Sequence, residues 1–419
     1  MEQVSTTIMS PPYNPNKPPR STLKAKRKSQ YKGTPNLSAS AKRSGTYGIV
    51  DLFCGTGGFS HGFASFNRQF KLLAAIDVEV DPAATTQANH PDCRVVRDDI
   101  RLVKPSQIKS LIQGQRVDVI IGGPPCQGFS SLRPFRSSDD EDPRNSLFEQ
   151  FALYVNYFRP RVFVMENVLG LLTYNGGATF NAIQQCFATM GYRTDWKVLN
   201  AAHFGVPQKR ERLVMIGRRG GGPIAFPNPT HRFNGKGIGY NDKSRMLVGI
   251  DDLPPAITTL EAIGDLPPVE SGGERTRYTR KPKCEYQMER RARSERLTLH
   301  RATDHSPQLL EIIKHSGSSI SSVPKGMVSS GFSSCYSRLD PNLPANTITV
   351  KFTSPASSKC IHPFQNRAIT PREAARIQSF DDDYVFEGSK TSIAYQIGNA
   401  VPPLLGRAIA KPVLKALDD

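Results

Sequence analysis

The chain has 419 residues, with 55 Lys and Arg against 37 Asp and Glu, a formal net charge of +18. That length accommodates two or three domains, the charge calls for a polyanionic partner, most simply nucleic acid, and no apolar run is long enough to cross a membrane as a helix. Seven cysteines without a CxxC pair indicate neither a zinc site nor a disulfide framework, and no apolar leader marks the N-terminus, so a reducing intracellular compartment, the cytoplasm, is expected.

Residues 1–45 hold nine Lys and Arg against the single Glu2 and are rich in Pro, Ser and Thr. Such a stretch cannot bury enough apolar surface to fold, so a disordered basic arm is expected. It could touch DNA non-specifically or be a solvated tail. From Tyr47 onward short apolar runs alternate with amphipathic ones. Strands are predicted over 47–53, 71–77, 94–97, 117–122, 161–166, 195–199 and 212–217. Helices are predicted over 58–66, 82–89, 105–113, 145–158 and 179–190. This alternation gives a doubly wound, mostly parallel α/β sheet, which binds ligands beyond the carboxyl ends of its strands. Residues 46–219 form this first domain. From 220 to 339 the alternation fails, and 274–296 holds nine basic and four acidic residues, so a second, irregular domain with a basic surface is expected. A helix with Pro at its first turn is predicted over 371–380 and another after Pro402-Pro403, within a segment, 340–419, that returns to the α/β pattern.

Four places carry chemistry, three of them at strand ends. Asp51-Leu52-Phe53-Cys54-Gly55-Thr56-Gly57-Gly58-Phe59 runs from a strand through glycines into a helix. Glycines let backbone approach a ligand, and a helix N-terminus favours an anionic group. The next strand ends at Asp77, an acid about 20 residues on, a position suited to ribose hydroxyls. The spacing is not GxGxxG, so a dinucleotide is not the best guess. Gly122-Gly123-Pro124-Pro125-Cys126-Gln127-Gly128-Phe129-Ser130 follows a buried strand. Its prolines fix the direction of Cys126, a soft nucleophile once its thiol is deprotonated. Most free cysteines are small buried hydrophobes, and the flanking Pro-Pro and Gly argue against that here. Glu166-Asn167-Val168 puts a carboxyl at a third strand end, where it could serve as a hydrogen-bonding acid or as a cap. In Gln208-Lys209-Arg210-Glu211-Arg212 the two arginines share one face of an extended segment, placed for a phosphate or a pyrimidine carbonyl, or for solvent.

Together, and in this order, these motifs resemble the cytosine-carbon-5 DNA methyltransferase family. So do Arg338-Leu339-Asp340, Thr347-Ile348-Thr349, residues 370–380 and Gln396-Ile397-Gly398-Asn399-Ala400-Val401-Pro402-Pro403. The resemblance implies a Rossmann-like methyltransferase fold with a target-recognition domain over 220–339, and S-adenosylmethionine as cofactor. Phe53, Gly55, Gly57 and Gly58 would hold the cofactor, with Asp77 on the ribose, Val78 on the adenine, and Asp99 and Ile100 at the adenine edge. Pro124, Asn399 and Val401 would complete that pocket. The family often has a bulky aromatic where Val78 stands. The resemblance further implies that Cys126 attacks carbon 6 of a cytosine flipped out of the duplex, that Glu166 binds ring nitrogen 3 and the exocyclic amine, that Arg212 takes the carbonyl oxygen and that Arg210 supports the Cys126 loop. The loop 130–145, with Arg133, Arg136 and Arg144, could close over the base.

The expected partner is double-stranded DNA, with no membrane and no metal, and the chain is expected to act as a monomer in a prokaryotic cytoplasm. It would be a restriction-modification or orphan methylase. A cognate restriction endonuclease would share its site without a stable complex. The alternatives are a tRNA cytosine methyltransferase on the same fold and a catalytically inactive DNA-binding relative. About 120 residues between Gly217 and Arg338 favour a DNA-reading domain over the first, and the presence of Cys126 and Glu166 argues against the second. A third rival, an amino-group methyltransferase, is suggested only by Ser10-Pro11-Pro12-Tyr13, which no strand precedes.

Overall fold

The computed structural model describes residues 46–125, 146–234, 245, 251–328 and 331–419. Cys126, the loop with Arg133, Arg136 and Arg144, and the arm 1–45 lie outside the described residues.

Val- and Ile-rich runs build the sheet. Its strands are β1 (Tyr47–Leu52), β2 (Phe70–Asp77), β3 (Arg94–Arg97), β4 (Val119–Gly122), β5 (Val162–Asn167) and β6 (Tyr192–Asn200). A two-residue strand β7 (Gln208–Lys209) then precedes β8 (Glu211–Arg219), the seventh strand of the sheet. The order is β3-β2-β1-β4-β5-β8-β6. Pairs among β1 to β5 are parallel, whereas β8 runs antiparallel to both β5 and β6. The chain travels outward from β1 to β3, then resumes on the other side with β4 and β5. The crevice at that reversal, beyond the ends of β1 and β4, is where such sheets take ligands.

Side chains alternate across the strands with period two. Val50, Leu52, Ile120, Phe163 and Met165 face one core, which α4 (Ser146–Phe158) and α6 (Ala178–Thr189) cover with Phe148, Phe151, Ile183 and Phe187. Ile49, Val119, Ile121, Val162 and Val164 face the other, covered by Phe59 and Phe63 of α1 (Gly58–Phe66) and by Leu405, Ile409 and Val413 of α12 (Pro403–Asp418). Each such fully buried side chain contributes about 1.5–3 kcal/mol. Central strands buried on both faces read as unbroken apolar runs, which is why the sequence revealed them. The last helix therefore belongs to the core of the first domain. Three further helices flank the sheet strands: α2 (Val80–Asn89), α3 (Pro105–Leu111) and the single turn α5 (Gly170–Thr173).

A third core joins residues far apart in sequence. Ala262, Ile263, Leu266, Tyr286 and Leu297 pack with Ile348, Phe352, Phe380, Ile393 and Ile397. The elements here are α7 (Thr259–Ile263), α8 (Glu285–Arg291), α9 (Pro307–His315), the two-residue β9 (Ala345–Asn346) paired with β7, α10 (Pro371–Ile377) and α11 (Lys390–Asn399). The basic stretch 274–296 differs from expectation. Arg290 meets Asp381 at 2.9 Å, and Arg293 binds Asp383 and Asp381 at 2.6 and 2.8 Å. Arg291 lies 3.7 Å from the centre of the Tyr278 ring and donates to the Arg280 carbonyl. These three guanidinium groups are tied to neighbours in the fold, whereas Arg275, Arg277, Arg280 and Arg296 of the stretch are exposed.

Candidate functional site

The turn after β1 is built by backbone that few residues tolerate. Gly55 and Gly57 have φ of 53° and 76°, in the left-handed region. Phe53, at φ 60°, is there without being glycine, a strain of order 1–3 kcal/mol that recurs at ligand sites. Asp77, at the end of β2, accepts from the Gly55 N–H at 2.7 Å and the Glu79 N–H at 3.0 Å, so one carboxylate ties two strand ends together. Thr86 of α2 donates to the Gly55 carbonyl at 2.9 Å, and the Tyr384 hydroxyl donates to the Thr56 carbonyl. A Cβ on Gly58 would stand 2.4 Å from the Val401 carbonyl, so only glycine lets the C-terminal segment close this side.

At the end of β5, Glu166 Oε1 meets Arg212 Nε at 2.9 Å across the antiparallel pairing with β8. Arg212 also donates to the Glu211 carbonyl at 2.7 Å. Asn167 donates to the Pro124 carbonyl at 2.8 Å, which fixes the exit of the segment leading to Cys126. A Cβ on Gly123 would lie 3.2 Å from Glu166 Oε2, so the Pro-Pro segment and the carboxylate are neighbours. Arg210, almost wholly buried, reaches the carbonyls of Ile348 and Asn399 at 3.3 and 3.4 Å, while its Nε has no partner among the described residues.

Most of these groups border one cavity of about 880 Å³. Phe53, Gly55, Gly58, Asp77, Val78, Asp99, Ile100, Pro124, Glu166, Arg210, Arg212, Asn399 and Val401 all line it. Gly57 does not. It sits behind the turn, where a Cβ would meet Thr86 Oγ1 at 2.9 Å, so it serves the turn's shape. Asp99 is there with its carboxylate gripped by Arg101 of its own loop, at 2.9 and 3.0 Å from Nε. Val78 is largely exposed on the wall.

Across residues 47–415 the chain matches the model of the C-5 cytosine-specific DNA methylase family. The chain belongs to that family. Among similar proteins is the type II methyltransferase M1.HphI of Haemophilus parahaemolyticus, 38% identical over 370 residues that cover 87% of this chain and 86% of the relative. The type II methyltransferase M.AgeI of Thalassovita gelatinovora is 34% identical, with 88% and 99% covered. Of solved structures, a prophage-encoded protein of E. coli described as a DNA modification methyltransferase aligns with a TM-score of 0.68 at 26% identity, over 89% of this chain and 100% of that one. DNMT2 of Spodoptera frugiperda shares the fold, with a TM-score of 0.55 at 17% identity over the same shares.

Two features of this methylase site escaped the motifs. Asp51, 1% exposed, borders the cavity, and its Oδ2 has no partner among the described residues. Burial pushes its carboxyl up to about 7, aided by the nearby Asp77 and opposed by Ser60. Burial also raises Asp77 against the backbone N–H groups that it accepts from. Tyr395, half exposed on α11, adds an aromatic ring to the wall near Asp77 and Glu79. The quoted motif contained Asp51 without marking its isolation, and Tyr395 lies on a helix that the sequence did not announce. Burial, followed by the nearby Arg212, holds the Arg210 guanidinium well below the usual arginine range, with Glu166 opposing. Among the described residues, no group of His, Cys, Asp or Glu is arranged to hold a metal, and no helix is long and apolar enough to cross a membrane.

Proposed function

We propose that this chain transfers a methyl group from S-adenosylmethionine to carbon 5 of a cytosine turned out of duplex DNA, through a transient bond between Cys126 and carbon 6. The observation that carries the reading is the Glu166–Arg212 pair, which stands in one cavity with the glycine turn and the Pro124-Pro125 segment leading to Cys126. The type II relatives support a place in restriction-modification.

The cavity's donor set suits the cofactor. Asp51 and Asp77 favour a ligand bearing positive charge and ribose hydroxyls, and an added Cβ on Gly55 would meet nothing within 4 Å. Phe53, Gly55, Gly58, Asp77 and Val401 would hold it. When bound, it supplies an electrophilic methyl on a sulfonium, whose departure leaves a neutral thioether.

The protein's own groups do the rest. Carbon 5 of cytosine is a poor nucleophile while the ring is aromatic. The Cys126 thiolate gives its electron pair to carbon 6, which breaks the aromaticity and leaves an electron-rich carbon 5. The Glu166 carboxyl gives a proton to ring nitrogen 3, where negative charge gathers, and accepts from the exocyclic amine, while Arg212 orients that carboxyl and meets the carbonyl oxygen; the proton returns to Glu166 when the ring is restored. Once carbon 5 is methylated, its proton leaves to a base, the Cys126–carbon 6 bond breaks and the thiolate recovers its pair. A stacked base hides carbon 6, so the cytosine must be extruded. Sequence choice is assigned to 220–339, with Arg275, Arg277 and Arg280 among its exposed guanidinium groups.

The test offers duplex DNA and tRNA with a labelled methyl donor, followed by bisulfite mapping. Label should enter DNA at cytosine in one sequence context. Cys126→Ala should abolish transfer while keeping DNA binding, and 5-fluorocytosine DNA should be trapped covalently by the wild type alone. Transfer at near wild-type rate by Cys126→Ala would overturn the mechanism, and label in tRNA alone would favour the RNA alternative.

A further inference from the structure

The end of the sheet opposite the cavity carries a concentration of arginine that the methyl-transfer reading does not use. Strand register sets it. In β8, Arg219 pairs with Tyr192 of β6, and its N–H bonds to the Arg161 carbonyl beside β5. One row further in, Arg218 pairs with Arg193 on one side and Val162 on the other. Arg159 precedes β5 in a left-handed conformation, φ 48°, that swings it to the same edge. Four arginines thus meet within two register rows of three adjacent strands, Arg159 adds a fifth just before β5, and Arg159, Arg161, Arg218 and Arg219 border one shallow cavity of about 530 Å³.

Their charges are poorly answered. Arg218 stands 3.8 Å from Asp419 and donates to the Pro223 carbonyl. Arg159 spends one N–H on the Met190 carbonyl and lies 5.8 Å from the centre of the Tyr192 ring. Among the described residues, no carboxylate comes within ion-pair distance of Arg159, Arg161, Arg193 or Arg219, and Arg159, Arg193 and Arg219 are exposed. Packing like charges on adjacent strands is unfavourable unless an anion offsets it. Guanidinium forks spread over an open surface match a row of phosphates rather than one small ion.

We propose that this arginine edge is a second contact for DNA, binding the phosphodiester backbone of a segment other than the one in the catalytic cleft. β5 is six residues long, so the edge and the Glu166 end of the strand are roughly 20 Å apart at opposite ends of the sheet. The contact reads no bases and retains the enzyme on DNA between target sites.

The experiment uses the full chain, with its cleft first occupied by a short 5-fluorocytosine target duplex trapped covalently. A labelled duplex without a target site is then titrated in across a range of salt. The trapped wild type should bind it, and the paired exposed substitutions Arg193→Glu and Arg219→Glu should weaken that binding about tenfold or more at low salt and flatten the slope of log affinity against log salt. Methylation of a short target duplex should stay at the wild-type rate in that variant, which also shows that it is folded. Arg159→Gln, which removes a charge at a third point, should act in the same direction. A trapped wild type that binds no second duplex, or variants that bind it as tightly, would overturn the proposal. Failure of the wild type to form the trapped complex would instead count against the Cys126 reading, and second-duplex binding would then be measured on the untrapped chain by stoichiometry, with one duplex per chain counting against the edge.

Discussion

Glu166 presents two oxygens in two settings. Oε1 is held by Arg212 at 2.9 Å, and Oε2 faces the Gly123 backbone. An amide in its place would keep the shape but lose the charge that Arg212 answers and could not pass a proton to ring nitrogen 3 as the adduct forms. Glu166→Gln should lower turnover on the order of 10²-fold or more while leaving duplex binding within a few fold. Single-turnover methyl transfer and a binding titration separate the two, and a turnover loss of only a few fold would move the role to another group. At this scale the motifs were informative because each placed a reactive residue type directly after a strand: Asp77, Pro124, Glu166 and Arg212 all line the predicted cavity. What they could not show depends on distant neighbours. The isolation of Asp51 Oδ2, the positive φ of Phe53 and the aim of Tyr395 are properties of the assembled site.

Among elements, legibility followed burial and length. Buried strands and helices of nine residues or more around the first domain, such as α1 and α4, had patterns long enough to read. The five-residue α7 and seven-residue α8 did not, since an apolar period of 3.6 needs about three turns to stand out. Those short helices are held by ion pairs as much as by packing. Arg376 of α10, wholly buried, binds Asp265 at 2.6 Å beyond α7 and Asp382 at 2.6 Å, and its carbonyl accepts from the Tyr286 hydroxyl of α8 at 2.5 Å. One guanidinium thus joins three segments, and removing it leaves Asp265 with Arg291 at 3.7 Å, and Asp382 with Arg372 at 3.7 Å and the Tyr278 hydroxyl, as their remaining partners among the described residues. Arg376→Ala should destabilise the chain by about 3–5 kcal/mol, the cost of breaking a buried pair on one side. Arg376→Met, which fills the same space without a charge, should be hardly better, because the carboxylates stay. Denaturant titration measures both. A loss within 1 kcal/mol would show that water reaches the network. The same geometry explains why Arg290, Arg291 and Arg293 read as a DNA surface in the sequence: net charge along a segment says nothing of the Asp381–Asp383 run, about 90 residues on, that meets two of them.

For the molecule as a whole, the histidines set the response to acid. Seven of the eight have side chains pushed below the ordinary histidine range, with burial the first cause for each. His61 and His362 fall to about 3 and His90 to about 4. Geometry agrees for His362, whose Nδ1 accepts from the Phe364 and Gln365 N–H groups at 3.1 Å and so must carry no proton. The unfolded chain takes up these protons near pH 6.5, whereas the folded chain refuses them until pH 3 to 4. Between those limits the unfolded state binds more protons, so stability falls as pH falls. Asp51 works the other way. Its carboxyl, raised to about 7, makes the folded state the better proton binder between the ordinary aspartate range and neutrality, so its contribution declines as pH rises through that window. Asp51, with Asp77 and Asp381 raised by burial in the same sense, opposes seven depressed histidines, and the histidines win on the acid side. The thermal midpoint should therefore drop progressively below about pH 6.5. His362→Gln should lower the midpoint at neutral pH yet flatten its acid slope, because one refused proton is gone. Asp51→Asn should change the profile only between about pH 4 and 7 and leave the midpoint there higher relative to wild type as pH rises. Scanning calorimetry of the three chains from pH 4 to 8 measures these slopes. An acid limb equally steep in wild type and His362→Gln would mean that His362 takes its proton with the fold intact, and the burial argument for it would fall.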